Sequence, residues 1–313
     1  MYLNTFSGIK ISYKLSYINQ NGQDHDSECL PPSVGRYEYE DKDQFAQILN
    51  LERERLLNSM RHCREISDID TGSSRSEQEL TTEITEYIIF SIDPTTFNQD
   101  FLSLDAIPIP SIRTSFNLNT EKLIFKMVTR EHTQIAFAVH KAIDKALARM
   151  GLDEATHDYL RVDIDVNGHK KQPDMGWRPR RPPRGCPKRP SVVLEVAVSE
   201  TRKKLRQDVD LWLDPVRGNA HAVIAIKLSR QRAMIAIDLW IRDAVNGKPI
   251  NFQHIEVSEN ENDEVELSGG SLVIPFCFFF LRDPQTPRET DVIIDKEWLQ
   301  KIAEWGWDMQ FPN

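Results

Sequence analysis

The segment Ser191-Val-Val-Leu-Glu-Val-Ala-Val198 sets the tightest limit on what this chain can fold into. A run of apolar, mostly β-branched residues broken by a single acid is the pattern of a central strand covered on both faces. Such a strand demands a layer of structure on either side, and a chain of 313 residues is long enough to supply both. Alternation along the strand points Val192, Leu194, Val196 and Val198 one way, and Val193, Glu195, Ala197 and Ser199 the other. Glu195 is therefore a carboxylate in a buried strand. That is costly unless neighbouring charge or a bound cation compensates it.

The surrounding pattern predicts a mixed α/β layer structure. A strand is expected at Leu123 to Val128, followed by a helix that Thr129 caps and Gly151 stops, with Ile135, Val139, Ile143 and Leu147 as its buried stripe. Leu160 to Val166 alternates as a strand, and Asn167-Gly168 suits a turn into a further strand at Lys171 to Trp177. After Ser191–Val198 come a helix from Glu200 to Leu213 and strands at His221–Leu228 and Ala233–Ile241. Segments at Ile250–Val257, Val265–Leu267 and Leu272–Phe280 extend the sheet, and Lys296–Trp305 forms a terminal helix. Residues 1–83 read as an N-terminal extension. It holds a short strand near Ile9, an amphipathic helix from Asp43 to Arg64 (Phe45, Ile48, Leu49, Leu56, Leu57 and Met60 inward) and a mobile linker over Asp68–Gln78. Residues 84–282 form the main domain and 283–313 a C-terminal helical extension.

The net charge of −9 argues against a polyanion partner, but its distribution does not. Between Lys170 and Arg206 there are twelve basic residues against three acids, Asp174, Glu195 and Glu200. A local excess of that size makes a phosphate-binding surface on an acidic protein. Arg178, Arg180, Arg181, Arg184, Lys188 and Arg189 are the residues expected to contact nucleic acid. Several classes are excluded or disfavoured. The longest nearly apolar stretch, Leu272–Leu281, contains a proline and is too short to span a bilayer. The first twenty residues carry no secretory h-region, and Cys29, Cys63, Cys186 and Cys277 form no C-x-x-C pair. The expectation is an intracellular protein, nuclear or cytoplasmic. Motifs of P-loop, dinucleotide-binding, zinc-protease and serine-hydrolase sites are absent.

Pro173-Asp174, then Arg189-Pro-Ser-Val-Val-Leu-Glu-Val-Ala-Val-Ser-Glu200, then a Lys/Arg-rich helix, resembles the PD-(D/E)xK restriction-endonuclease-like superfamily over about residues 120–242. The likeness is greatest to its uncharacterised fungal and bacterial branch. The resemblance implies a restriction-endonuclease-like mixed β-sheet flanked by helices, and metal-dependent attack of water on a phosphodiester of DNA or RNA. It implies that Asp174 and Glu195 hold Mg²⁺ or Mn²⁺, with Glu131 as an additional acid from the helix start. The superfamily's lysine, two residues beyond the strand acid, is Ala197 in this chain. Lys204, or else Lys203, is expected to take its place as a catalytic group from the following helix. The alternative is a catalytically weak or inactive nuclease-fold module that binds nucleic acid without turnover. Plainer readings stand beside these. Glu131 suits the helix dipole, Asp208 pairs with Lys204 at i,i+4, Gln207, Asp163 and Asp165 are solvated, and Trp177 packs.

Overall fold

The computed structural model describes residues 30, 33–67, 85–102, 112–160, 164–165, 169–198, 200–230, 232–243 and 246–311, together with a two-residue strand pair, Thr5–Phe6 with Ile9–Lys10. The expected linker at 68–78, Asp163 and the Asn167-Gly168 turn lie outside the described residues.

Two sheets meet at the site. The first is built from β1 (Gly35–Glu38), β2 (Tyr87–Ser91), β3 (Ile112–Asn117) and β4 (Lys122–Met127), with α1 (Lys42–Ser67) and α2 (Pro94–Phe101) between them in sequence. Asp93 opens α2 by accepting from the Thr95 and Thr96 amides, and Pro94 occupies the first turn where no N–H is needed. An aromatic core of Phe45, Phe90, Phe97, Phe116 and Phe125 joins both helices to this sheet, with the Phe97 and Phe116 rings stacked at 4.0 Å.

Next comes α3 (Arg130–Met150), capped by Thr129 and ended by Gly151 in the left-handed conformation, both as expected. Its four stripe residues are all buried. Then follow β5 (Thr156–Tyr159), β6 (Ile164–Asp165), β7 (His169–Lys171), β8 (Met175–Pro179) and β9 (Val192–Ala197). After them come α4 (Arg202–Leu213), β10 (Ala222–Leu228), β11 (Met234–Arg242), β12 (Pro249–Glu259) and β13 (Val265–Ser268). The chain ends with β14 (Leu272–Ile274), α5 (Phe276–Phe280), β15 (Val292–Ile294) and α6 (Lys296–Gln310).

The first sheet has the order β1-β2-β4-β3-β7-β6, and the second β13-β12-β11-β10-β9-β8-β5. All six residues of β9 are buried, as its composition requires. It runs antiparallel to β8 and parallel to β10. Its two faces are covered by different layers. Val192, Leu194 and Val196 pack in a core with α3 and α6, whereas Val193 and Ala197 pack with Leu205, Val209 and Trp212 of α4. Around Gly306 the α6 backbone comes so near α3 that a Cβ would stand 2.9 Å from the Ile135 side chain.

The structure departs from the sequence pattern at four places. The single strand expected over Lys171–Trp177 is two strands in different sheets. Lys171 pairs with Ser115 in the first and Met175 with Leu194 in the second. Pro173 lacks the N–H a ladder would use, so the chain changes sheet there and leaves Asp174 at the junction. The strand expected over Leu272–Phe280 stops at Ile274, because Pro275 starts the short helix α5. Leu57 of α1 is exposed rather than inward. Finally, the sequence divisions near 84 and 282 cut through packed structure. β1 pairs in parallel with β2, β14 pairs with β15, and Leu299, Ile302 and Ala303 share a core with α3. The overall architecture is nevertheless the expected one: mixed α/β, with sheets flanked by helices.

Candidate active site

Asp174, Glu195 and Asp208 line one cleft between the two sheets, of about 360 Å³ counted with its opening to solvent. Each is brought there for a separate reason: Asp174 by the change of sheet, Glu195 by strand alternation on the α4 side of β9, and Asp208 by the inner face of α4. Four cations share the lining: Arg113 from β3, Lys126 from β4, Lys171 from β7 and Lys204 from α4.

Asp174 is almost completely buried. Its Oδ2 accepts from the Val196 amide at 2.8 Å and from Lys126 Nζ at 3.1 Å, and His132 Nε2 lies 2.9 Å away. Its Oδ1 faces Arg113 Nε at 3.7 Å and, though buried, accepts no hydrogen bond among the described residues. Burial alone would push this carboxyl up, but His132, Lys126 and Arg113 together outweigh it and hold the group well below the usual aspartate range. Glu195 behaves in the opposite way. Its Oε1 accepts from the Trp212 indole at 2.5 Å, and Lys171 stands off at 4.0 Å. Burial pushes its carboxyl up to about 8; Lys171 opposes this, while Asp174 and Asp208 add to it. The two acids of one cleft are thus shifted in opposite directions, the usual consequence of unequal compensation.

Lys126 is the buried centre of the cluster. Its Nζ donates to the Val196 carbonyl at 2.7 Å and to Asp174, and lies 3.4 Å from Glu200 Oε2. Burial disfavours the ammonium, yet Asp174, Glu200, Glu86 and Glu195 hold its pKa well above the ordinary lysine value. Tyr87 donates to the same Glu200 oxygen at 2.7 Å.

The sequence-derived candidates fare unequally. Asp174 and Glu195 are brought together. Lys204 lines the cleft, but its Nζ sits on Asp208 at 2.5 Å, which is the plain helix-pair reading. Lys203 is exposed on α4 and is not among the cleft residues, so it is not brought to the site. Glu131 is buried in the first turn of α3, but the contact from that turn to Asp174 comes from His132. Trp177 is fully enclosed, 6.2 Å from Phe279 between ring centres, and so packs rather than stacks on a base. Asp165 is exposed, as its plain reading expected.

The basic loop is not beside the acids. Asp174 precedes the Met175–Leu194 pair at one end of the β8–β9 hairpin, and the loop closes the other end beyond the Trp177–Val192 pair. At about 3.3 Å per residue, Arg180 lies roughly 15–20 Å along the strand from Asp174. Arg180 Nε donates to Thr156 O at 3.0 Å, and Arg189 donates to the Arg217 carbonyl. Arg181, Arg184 and Lys188 are exposed, and Arg178 is half-buried.

Sequence reasoning missed Lys126, Lys171, Arg113, His132 and Trp212. Lys126 carried the same signal as Glu195, a charge inside the apolar run Leu123-Ile-Phe-Lys-Met127. The others had no local signal, since their value lies in contacts between elements far apart in sequence.

Among the described residues, no group of three or more His, Cys, Asp or Glu side chains is arranged to hold a metal, and no helix is long and apolar enough to cross a membrane. No protein-family model and no curated protein matches the sequence. Among solved structures, the chain is similar to one from Anabaena variabilis described as a candidate nuclease belonging to DUF820. The identity is 12% and the TM-score 0.36, over 62% of this chain and 90% of that one.

Proposed function

We propose that this chain is a divalent-metal-dependent nuclease that hydrolyses phosphodiester bonds in DNA or RNA. The observation that carries this reading is the convergence of Asp174 and Glu195 on one cleft already ringed by Arg113, Lys126, Lys171 and Lys204.

The donor set fits Mg²⁺ or Mn²⁺. Asp174 offers a buried oxygen, Oδ1, that no hydrogen bond among the described residues uses. Glu195 is raised in part by Asp174 and Asp208, so a cation between the acids would favour its charged form. Mg²⁺ takes one or two carboxylates and completes its shell with water and phosphate oxygens, so a cluster of three protein acids is not required. When bound, the metal supplies Lewis-acid polarisation of the phosphate and lowers the pKa of a bound water.

The chain's own residues supply the rest. The Trp212 hydrogen bond fixes the Glu195 carboxyl, while Lys126 and the Val196 amide fix Asp174, so neither has to reorganise on binding. Lys171 and Lys204, both held by Asp208, place positive charge where the phosphate gains negative charge in the transition state. The water oxygen forms the new bond to phosphorus as the P–O bond to the departing ester oxygen breaks, and the proton that the water gives up to solvent balances the one that the departing oxygen takes from it.

A second reading, a nuclease-fold module that binds without turnover, is favoured by two observations. Ala197 stands where a strand lysine is expected, and Lys204 is engaged with Asp208. One experiment separates them: incubation of labelled single- and double-stranded DNA and RNA with Mn²⁺, Mg²⁺ or EDTA, comparing wild type with Glu195→Ala. Metal-dependent cleavage that Glu195→Ala loses is expected. Identical behaviour of the two proteins in every metal would end the nuclease reading, and salt-sensitive binding without cleavage would establish the second.

A further inference from the structure

Three oxygens converge on the Lys126 ammonium from three separate elements: the Val196 carbonyl at 2.7 Å, Asp174 Oδ2 at 3.1 Å and Glu200 Oε2 at 3.4 Å. Two carboxylates and a backbone carbonyl are the ligand chemistry that a hard divalent cation takes. The cage is enclosed, with Asp174 at 1% and Glu200 at 2% exposure. Each of these acids also keeps a second buried oxygen, Asp174 Oδ1 and Glu200 Oε1, that accepts no hydrogen bond among the described residues. Asp174 Oδ2 also serves the Val196 amide and His132, and Glu200 Oε2 also serves Tyr87, but the two second oxygens give the cage donor capacity beyond the one ammonium.

We infer that Lys126 is a tethered cation filling a second metal position, so that the site takes one divalent ion where its oxygens could hold two. The inference deepens the nuclease reading, on which it rests only for the first ion at Asp174 Oδ1 and Glu195. In nucleases that use two metals, the ions flank the scissile phosphate and neutralise the attacking and departing oxygens. Lys126 provides the second charge permanently, without dependence on metal concentration. Removing Lys126 leaves Asp174 with Arg113 and His132 beside it and takes the ammonium from beside Glu200, so the emptied cage should recruit a cation or lose stability.

The test removes the ammonium and counts ions. Full-length wild type, Lys126→Ala and Lys126→Gln, stripped with EDTA, would be titrated with Mn²⁺ while free Mn²⁺ is read by electron paramagnetic resonance. Each variant is expected to hold one Mn²⁺ per chain more than wild type, and Glu200→Gln added to Lys126→Ala should remove the extra ion. Thermal unfolding gives an independent readout. Mn²⁺ or propylammonium, the fragment that the alanine substitution deletes, should raise the midpoint of Lys126→Ala and leave that of wild type little changed by the amine. Equal Mn²⁺ counts in wild type and both variants would overturn the inference. So would variants that neither Mn²⁺ nor propylammonium restores to a folded state. The count in wild type bears on the nuclease reading instead: zero ions would sink that reading, while a gain of one on removing Lys126 would still uphold the cage.

Discussion

The indole of Trp212 donates to Glu195 Oε1 across 2.5 Å, tying the acid of the central strand to the helix that covers it. Replacing Trp212 with Phe keeps most of the packing and removes the donor from a buried carboxyl. A loss of about 1–3 kcal/mol in unfolding free energy is expected. In a Glu195→Leu background, where no acceptor remains, the same change should cost distinctly less. Equal costs in the two backgrounds, measured by denaturant unfolding, would show that the hydrogen bond contributes nothing.

Glu195 gives stability a definite pH dependence when no metal is present. A free glutamate titrates near 4.5, but this one holds its proton to about 8. The contribution is fully present below 4.5 and falls as pH rises through that window, because the unfolded chain releases a proton that the folded chain keeps. It levels off above about 8. Glu195→Gln should lack this decline, so the difference between the two proteins should change by at most about 1.4 kcal/mol per pH unit. Parallel stability profiles between pH 5 and 8 would contradict the assignment.

Asp208 carries Lys171 and Lys204 on one oxygen, at 2.7 and 2.5 Å. Asp208→Asn takes the shared carboxylate away from two buried ammoniums and should cost about 3–5 kcal/mol. Lys204→Met removes one partner and leaves Asp208 paired with Lys171, so its cost should be clearly smaller. Chemical denaturation ranks the two, and the reverse order would mean that Asp208 is not the holder of both lysines.

The exposed part of the basic loop should act on affinity and not on metal binding. Substituting Arg181, Arg184 and Lys188 together by Ala should weaken nucleic-acid binding and lower the slope of log K against log salt by up to about 2–3. Mn²⁺ affinity should remain that of wild type, since the loop closes the far end of the hairpin. An altered Mn²⁺ affinity would place the loop closer to the acids than the strand register allows.

The sequence by itself determined the local elements. The apolar run at Ser191–Val198 forced a central strand, and Thr129 and Gly151 bounded α3. These follow from residue type and spacing alone, because propensity and capping act within a few residues; the change of sheet at Pro173 did not, since the pattern read as one strand from Lys171 to Trp177. It also marked Asp174 and Glu195, the first beside a proline and the second by its charge among apolar neighbours.

Only the tertiary structure decided what surrounds them. His132, Lys126, Arg113, Lys171 and Trp212 reach the acids from α3, β4, β3, β7 and α4. It likewise parted the basic loop from the cleft, although the two are neighbours in sequence. The physical reason is that compensating a buried charge depends on distance in space and on local dielectric, whereas a strand carries its sequence neighbours steadily apart. A carboxylate's neighbours in the fold, rather than its neighbours in the chain, set whether it is charged and what it can hold.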